Sequence, residues 1–270
     1  MRILRLLVEA YLEMIFIMDY KSILKKAGAI FLALAFWQIL AMKIHQRILL
    51  VSPIEVAIRL GTIWQEKGFF PSVWFTFSHI TAGFLMGLLC GTVLAMAASR
   101  WKPVETLLWP WMATIKSVPV ASFIVICLIW LSVQRLSVFI AFLIVLPVVY
   151  QNTLEGLKNI DAKLEQMSRV YGLAWYRKLK YITIPALRPF IISACSVSCG
   201  MAWKAGVAAE IIGVPNGSIG KQLYNAKIYL ATEDLLAWTV IIVLISVISE
   251  KVFMWAVRRI LREGTVKQKG

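Results

Sequence analysis

The sequence predicts an all-α integral membrane protein with about six transmembrane helices, and three observations lead to this fold class. Hydrophobic residues make up 60% of the 270-residue chain, and its mean hydropathy is +0.77. Only 16% of its residues are charged, compared with about 25% in soluble domains. The charged residues lie almost entirely between long apolar runs. A chain of this composition needs lipid around it.

Six apolar windows are long enough to cross the bilayer core, which takes about 20 helical residues. They cover residues 23–42, 73–98, 104–133, 136–153, 185–212 and 235–257. The third window contains Pro110 and Pro119, with Lys116 and Ser117 between them. Because proline removes a backbone hydrogen bond, we expect a kinked or discontinuous helix there, facing protein or a water-filled path.

In a soluble protein, the net charge of +15 would suggest a nucleic-acid partner. The positions of the charges decide whether they serve nucleic-acid binding or orientation in a membrane. With both termini in the cytoplasm, 19 Lys and Arg residues lie inside or at the inner span ends, and seven lie outside. The remaining three are Lys116, Arg188 and Lys204, within spans. The positive-inside rule therefore favours cytoplasmic termini, and we expect membrane lipid but no nucleic acid as a partner.

The chain is expected to divide into three parts. Residues 1–22 predict an interfacial amphipathic helix, because acidic residues interrupt an apolar stretch that otherwise resembles a secretion signal. Residues 23–257 form the transmembrane domain, and residues 258–270 form a cytoplasmic tail. Within the outer segment 43–72, Ser52-Pro53 is a good start for a short surface helix.

Small residues in the spans predict close helix packing. Gly83, Gly87 and Gly91 recur at every fourth residue, so they share one stripe that another helix can approach. Cys195 and Cys199 also share a helix face, but they lack the His or carboxylate neighbours of a metal site. We interpret them as packing residues and expect neither a metal site nor a disulfide framework.

The inner loop, residues 154–184, is the most informative segment. Apolar residues recur at three- and four-residue spacing between Ile160 and Ala174, with charged residues elsewhere, which predicts an amphipathic helix on the cytoplasmic side. Gly172 interrupts this pattern and suits a sharp bend between two short helices. Pro185 and Pro189 are expected to open the next span, where a missing N–H matters least.

The same loop contains a spaced motif. Gln166-Met167-Ser168 is followed after three residues by Gly172, and after nine more by Ile182-Thr183-Ile184-Pro185. This resembles the cytoplasmic loop of binding-protein-dependent ABC importer permeases, whose pattern is Glu-Ala-Ala, three residues, Gly, nine residues, Ile, any residue, Leu-Pro. Gln166 stands where the family has Glu, and Ile184 where it has Leu. Neighbouring Glu165 is a candidate replacement for the acidic residue.

A second resemblance narrows the branch and extends the likeness to about residues 50–258. Three further strings resemble the nitrate, taurine and sulfonate group of these permeases: Ser52-Pro53-x-x-Val56, Gly83-Phe84 with Gly87 and Gly91, and Ala209-Glu210 followed by Gly217-Ser218-Ile219-Gly220. The branch also resembles carriers of pyrimidines and vitamin precursors. The sequence therefore leaves the solute open among small polar or anionic compounds.

The resemblance implies a type I ABC importer permease fold in the bacterial plasma (inner) membrane. It implies that two copies of the permease surround the translocation path, two ATPase subunits dock beneath them, and an extracytoplasmic binding protein delivers the solute. The residues implied to couple the permease to the ATPase are Glu165, Gln166, Met167, Ser168, Tyr171, Gly172, Trp175, Ile182 and Pro185.

The energy source is expected in another chain. The sequence contains no Gly-x-x-x-x-Gly-Lys-Ser/Thr phosphate loop, and the nearest string, residues 217–222, is too short. We therefore expect a transport component that is not an enzyme and binds no cofactor, with ATP and Mg on the partner ATPase.

Charges within the spans suggest path residues. Lys204 lies beside Trp203 in the fifth span, and an ionisable group at such depth costs at least ~2.5 kcal/mol on insertion scales. It either lines the path, favouring anionic or aromatic solutes, or forms a structural ion pair or reaches toward the outer surface. Glu210 is interpreted as structural or gating. The candidate path residues are Lys116, Ser117, Pro119, Trp203, Lys204 and Glu210.

Gln151 and Asn152 could line the path or cap the fourth span, and capping is favoured.

An ion-gradient-driven secondary transporter or channel would call for inverted repeats or paired acidic residues in spans. A membrane enzyme would call for clustered His, Asp or Glu. The sequence shows none of these patterns.

Overall fold

The structure is a computed structural model that describes residues 27–44 and 50–266, with side chains described up to residue 259. The predicted interfacial helix within residues 1–22 lies outside the described residues. The described elements are helices α1 Ala27–Ile44, α2 Pro53–Ile63, α3 Phe69–Arg100, α4 Lys102–Ser117, α5 Val120–Cys127, α6 Val133–Lys158, α7 Ala162–Val170, α8 Trp175–Lys178, a π-helical turn Leu179–Thr183, α9 Ile184–Gly213, α10 Ile219–Ile228 and α11 Thr232–Val266.

Membrane-crossing helices make up most of the described chain. Five are long and apolar enough to span a bilayer: α1, α3, α6, the continuous helix from Trp175 to Gly213, and α11. Helices α4 and α5 together meet the same criterion but are bent by 104° at Val118 and Pro119, so they form the sixth as a broken span. The six-span all-α prediction and the break in the third span are confirmed. Pro110 lies inside α4 without ending it.

Helices α3, α6 and α9 form the centre of the bundle. A Cβ atom on Gly87 would lie 2.7 Å from the Cβ of Val145, and one on Gly91 would lie 3.0 Å from the carbonyl oxygen of Leu146. Any side chain at these positions would push α3 away from α6, so the glycine stripe works as predicted. Cys195 and Cys199 are buried in the adjoining apolar core.

Helices α2 and α10 cover the end of the bundle that lies opposite α7 and α8 along α9. The predicted surface helix is confirmed: Ser52 precedes α2, and its hydroxyl accepts a hydrogen bond from the backbone N–H of Glu55. Arg59 on α2 then bonds to Asp234 in the first turn of α11 and to Glu66. These bonds fix α2 across the end of the last span.

The start of α9 is continuous with the segment before it. Pro185 lies in the first turn of α9, as expected, whereas Pro189 lies inside the helix. The π-helical turn from Leu179 to Thr183 joins α9 to α8 without a break. A proline ring clashes with the carbonyl four residues earlier in a regular α-helix, and the wider π turn stands where Pro185 would create that clash.

Candidate coupling surface and translocation path

The predicted bend in the inner loop is confirmed. Asp161 caps the start of helix α7, and its side chain accepts a hydrogen bond of 2.8 Å from the N–H of Lys163. Gly172 follows the end of α7, and its φ of +57° is in the left-handed region that favours glycine. The N–H of Leu173 donates to the carbonyl of Ser168 at 3.0 Å, which closes the helix in a Schellman arrangement. Helix α8 then leaves in a new direction.

Large apolar side chains project from this bend, which we call the coupling segment and define as residues 160–184. Val170, Tyr171 and Trp175 are 84%, 75% and 78% exposed, and Met167 is also exposed. Exposed apolar patches of this kind mark protein contact sites. The segment therefore presents an apolar surface that the single chain leaves uncovered.

The predicted coupling residues divide into an outer and an inner group. Ser168 and Ile182 are buried, and the Ser168 hydroxyl donates a 2.7 Å hydrogen bond to the carbonyl of Glu165. Gln166 is exposed beside Met167. The buried Ser168 is thus bonded within α7, and the outer residues are left uncovered in the single chain.

Glu165 bridges the two short helices. Its Oε1 atom accepts a hydrogen bond of 2.9 Å from Lys178 Nζ and lies 3.5 Å from a guanidinium nitrogen of Arg169. The hydrogen bond and the positive charge of Lys178 lower the pKa of the Glu165 carboxyl, and Arg169 adds to this. The carboxylate is therefore held by groups on both sides of the bend.

The break between α4 and α5 places three predicted path residues together. Lys116 lies in the last turn of α4, and its Nζ atom donates a 2.5 Å hydrogen bond to Oε1 of Gln151 on α6. The Ser117 hydroxyl bonds to the carbonyl of Thr114 at 3.1 Å, and Pro119 precedes α5. Lys116 and Gln151 are both exposed in the single chain.

A cleft of about 380 Å³, lined by both polar and apolar side chains, lies between α4 and α6. An ion pair of 2.5 Å between Lys158 Nζ and Glu105 Oε1 crosses it. The lining residues are Glu105, Trp109, Met112, Tyr150, Gln151, Leu154, Glu155, Lys158 and Asn159. The cleft thus brings the start of α4 and the end of α6 together through charged side chains, although its share in a path stays a prediction.

The capping interpretation of Gln151 and Asn152 is wrong. Helix α6 continues to Lys158, so both residues lie inside it rather than at its end. The Asn152 side chain donates to the carbonyl of Val148 at 2.8 Å, one turn back, and Gln151 accepts from Lys116. The window 136–153 was too short because charged residues follow it, yet the helix extends beyond the apolar run.

Trp203 and Lys204 point to different surroundings. Trp203 is buried in the core beside Phe77, whereas Lys204 is exposed. Ser193, Val197 and Lys204 share one face of α9 by their helical spacing, and that face is turned away from the rest of the chain. The structure thus separates two neighbours that the sequence grouped, and the path-lining role of Lys204 stays a prediction.

Glu210 is fully buried at the other end of α9. Its Oε2 atom accepts hydrogen bonds from the Thr76 hydroxyl at 2.7 Å and from the Gly220 N–H at 3.2 Å. Thr76 in turn accepts from the N–H of Ile219 at 3.0 Å. Within the described residues its bonded partners are therefore these groups and not Lys204, and this position favours the structural role over the gating one.

One intramembrane pair was missed in the sequence. The hydroxyl of Ser196 on α9 donates a 3.0 Å hydrogen bond to Oε1 of Glu250 on α11. The sequence does carry a signal for this pair, because Glu250 is a charged residue within the apolar run 235–257. Its neighbour Lys251 made the two charges resemble the end of a span. An acidic residue at this depth is a candidate functional group by itself.

The described part of the chain contains no group of three or more His, Cys, Asp or Glu side chains that could hold a metal ion. That no cofactor binds this chain stays a prediction.

Comparison with protein families gives one match that covers two thirds of the sequence. The profile of the family described as "Binding-protein-dependent transport system inner membrane component" matches residues 83–263. This range includes the glycine stripe, the coupling segment, and Glu210 with α10.

Individual relatives are distant but cover most of the chain. A Bacillus subtilis protein whose name assigns it to aliphatic sulfonate transport as a permease is 24% identical over 85% of this chain and 83% of its own. The bicarbonate transport system permease protein of Synechococcus elongatus is 21% identical over 73% of this chain and 71% of its own. The solved crystal structure of an amino acid ABC transporter with histidines has a TM-score of 0.51 at 18% identity and covers 73% of this chain and 92% of the solved chain. At that identity the likeness shows the fold.

Proposed function

The chain belongs to the family of binding-protein-dependent transport system inner membrane components, and from this premise we propose that it is the permease subunit of an ATP-driven importer for a small anionic or polar solute. It is a multi-pass protein of the bacterial plasma membrane and a transport component rather than an enzyme. Membership in this family implies an ATPase and a substrate-binding protein as partners. The identity of the solute, ATP as the energy source and the number of subunits in the complex are parts of this proposal.

The coupling segment carries the proposal. It leaves the apolar side chains of Val170, Tyr171 and Trp175 exposed on a sharply bent helix pair, and the bend is fixed by Gly172. A rigid, bent and apolar projection suits insertion into a groove of another protein, here the ATPase. Because the segment continues through the π turn into α9, movement of the groove would be transmitted to that span.

The polar residues on the outside of the spans favour a homodimer. In a single chain, Lys116, Gln151 and Lys204 would face lipid, where charged and polar groups are costly. A second copy, related by a twofold axis, would enclose these faces around a common path. We propose that two copies pair in this way, with two ATPase subunits beneath them and one binding protein on the opposite side.

Two features favour an anionic solute. Relatives named for aliphatic sulfonate and bicarbonate transport cover more than two thirds of this chain. Lys116 and Lys204 are exposed at membrane depth, and lysine can only donate hydrogen bonds, which suits sulfonate or carboxylate oxygens. Nitrate, taurine, pyrimidines and vitamin precursors remain alternatives of similar size. Family membership favours ATP over an ion gradient as the energy source.

Reconstituted transport tests the proposal. The chain is co-purified with the ATPase and binding protein encoded beside it and placed in liposomes, and uptake of labelled alkanesulfonate, bicarbonate and a pyrimidine is measured with and without internal ATP. We expect ATP-dependent uptake that also needs the binding protein. Uptake that is independent of ATP and is driven by an imposed proton or sodium gradient would instead establish the secondary-transporter alternative.

A further inference from the structure

The Glu165 side chain of the coupling segment is partly exposed and is bonded within the segment. Glu165 and Asp161 are the acidic residues between positions 161 and 184, and Asp161 caps the start of α7. Glu165 stands one position before the place where related permeases have Glu, and Gln166 occupies that place. The one-residue shift turns the side chain by about 100° around the helix, so Glu165 and Gln166 point in different directions.

We propose that Glu165 acts within the coupling segment, where it bridges α7 to Lys178 and fixes the bend, and that the segment meets its ATPase through its neutral, apolar and basic side chains. This inference rests on the proposed function, because it takes the ATPase as the occupant of this surface. Glu165 is thus a positioning residue, and Gln166 is the polar group offered to the partner.

The Glu165 carboxylate is engaged within the segment through its Oε1 atom. Lys178 Nζ approaches its Oε1 atom to 2.9 Å from the far side of the bend, and Arg169 approaches the same atom to 3.5 Å from one turn along α7. Lys178 is 13 residues away in sequence, so this contact exists only when α7 and α8 are folded back at Gly172. The lowered pKa of Glu165 keeps the carboxylate ionised at neutral pH.

The outer surface has a different chemistry. Its centre is apolar and aromatic, with Val170, Tyr171 and Trp175, and Gln166 beside it adds an uncharged amide. Exposed basic residues surround this centre: Lys163, Arg169, Arg177 and Lys180. Arg177 and Lys180 lie against the rings of Tyr176 and Tyr181, with 5.8 Å and 5.4 Å to the ring centroids. Charge complementarity therefore assigns the partner an ATPase groove with an apolar floor and an acidic rim.

A double-mutant cycle in the assembled complex tests the bridge. Glu165→Gln, Lys178→Met and the double variant are compared for ATPase affinity and for binding-protein-stimulated ATP hydrolysis. Each single change is expected to weaken both by about two- to fivefold, and the double change no further, because one interaction is lost in all three. Losses that multiply in the double variant would show that Glu165 and Lys178 act separately and would overturn the bridge.

Moving the acid gives a second and independent test. The variant Glu165→Gln with Gln166→Glu carries a carboxylate at the place where related permeases have one. We expect it to behave no better than Glu165→Gln, because position 166 cannot reach Lys178. Recovery of native coupling by this variant would show that the ATPase needs the carboxylate itself, and the inference would be wrong.

The acidic rim is tested by charge reversal and salt. Arg177→Glu should weaken ATPase binding, and native binding should weaken as salt rises from 0.05 to about 0.5 M. ATPase binding that strengthens on charge reversal and does not depend on salt would contradict the acidic rim.

Gly172→Leu separates this inference from the proposed function. If the native chain fails to bind the ATPase, or Gly172→Leu binds as well as native, the proposed function fails. If Gly172→Leu abolishes ATPase binding while the effects of Glu165→Gln and Lys178→Met simply add, the proposed function stands and only the Glu165–Lys178 bridge is wrong.

Discussion

The hydroxyl of Thr76 on α3 donates a 2.7 Å hydrogen bond to the carboxylate of Glu210 on α9, and both residues are fully buried. The same carboxylate oxygen accepts the N–H of Gly220 at the start of α10. One side chain therefore holds three helices together at the end of the bundle that carries α10. This contact gives a physical reason for the ten-residue spacing between Glu210 and Gly220 in the sequence.

Removing the Glu210 carboxylate should destabilise the protein. Glu210→Ala leaves the Thr76 hydroxyl and the Gly220 N–H without their acceptor in the interior, which costs about 1–3 kcal/mol for each group. Glu210→Gln keeps an oxygen at that position and should cost much less. Thermal unfolding in detergent measures both, with Ser193→Ala on the exposed face of α9 as the control. Equal stability of the Ala and Gln variants would contradict the acceptor role.

The glycine stripe offers a matched pair of substitutions. Gly87→Ala would place a methyl group 2.7 Å from the Cβ of Val145, so we expect a loss of about 1–3 kcal/mol or a shift of α3. Gly200→Ala meets nothing within 4 Å and should be neutral or stabilising by up to about 1 kcal/mol, because alanine favours the helix. Thermal unfolding of the two variants compares them directly. A stable Gly87→Ala variant with unchanged packing would contradict the close approach of α3 and α6.

Much of the fold follows from local patterns in the sequence. Apolar windows identified the spans, Pro119 marked the break, and the period of apolar residues with Gly172 identified the bent helix pair. The bond between Glu165 and Lys178 could not be predicted, because it depends on the angle between two helices and not on spacing along one. Gln151 was misassigned for a related reason. Where an apolar run ends, the helix can continue, and only the neighbouring α4 shows that Gln151 accepts a bond from Lys116.

The Glu165 bridge should depend on pH in a defined direction. The pKa of Glu165 is lower in the folded segment than its unfolded value of about 4.3. The bridge therefore contributes its full stabilisation above that value and loses it as the pH falls through the lowered folded pKa. Hydrogen exchange of α7 and α8, corrected for intrinsic rates, should be faster in Glu165→Gln than in the native chain at pH 6.5. The difference should disappear once the pH falls below the lowered folded pKa of Glu165. A difference of the same size at both pH values would contradict an ionic bridge.

The last prediction is that Lys204 lines the translocation path and favours anionic solutes. Lys204 is exposed on a face of α9 that also carries Ser193 and Val197, at a depth where lipid would be costly for an ammonium group. The rival role, a structural ion pair with Glu210 of the same helix, is disfavoured because Glu210 is fully buried and bonded to Thr76 and Gly220. A path-lining lysine attracts anions without contributing to the packing of its own chain.

Transport and stability separate these roles. Lys204→Met should lower uptake of a sulfonate or carboxylate by about tenfold, the effect of losing one charged hydrogen bond worth about 1.5 kcal/mol, while thermal stability stays within about 0.5 kcal/mol of native. Lys204→Arg should retain most of the uptake, because the positive charge remains. Lys221→Met serves as the control, since Lys221 is bonded to Asn216 in the connection between α9 and α10. Comparing Lys204→Met with the double variant Lys204→Met/Glu210→Gln then tests the rival role, a structural ion pair between Lys204 and Glu210. If the single change lowers stability and the double change restores both stability and transport, Lys204 is structural and does not select anions.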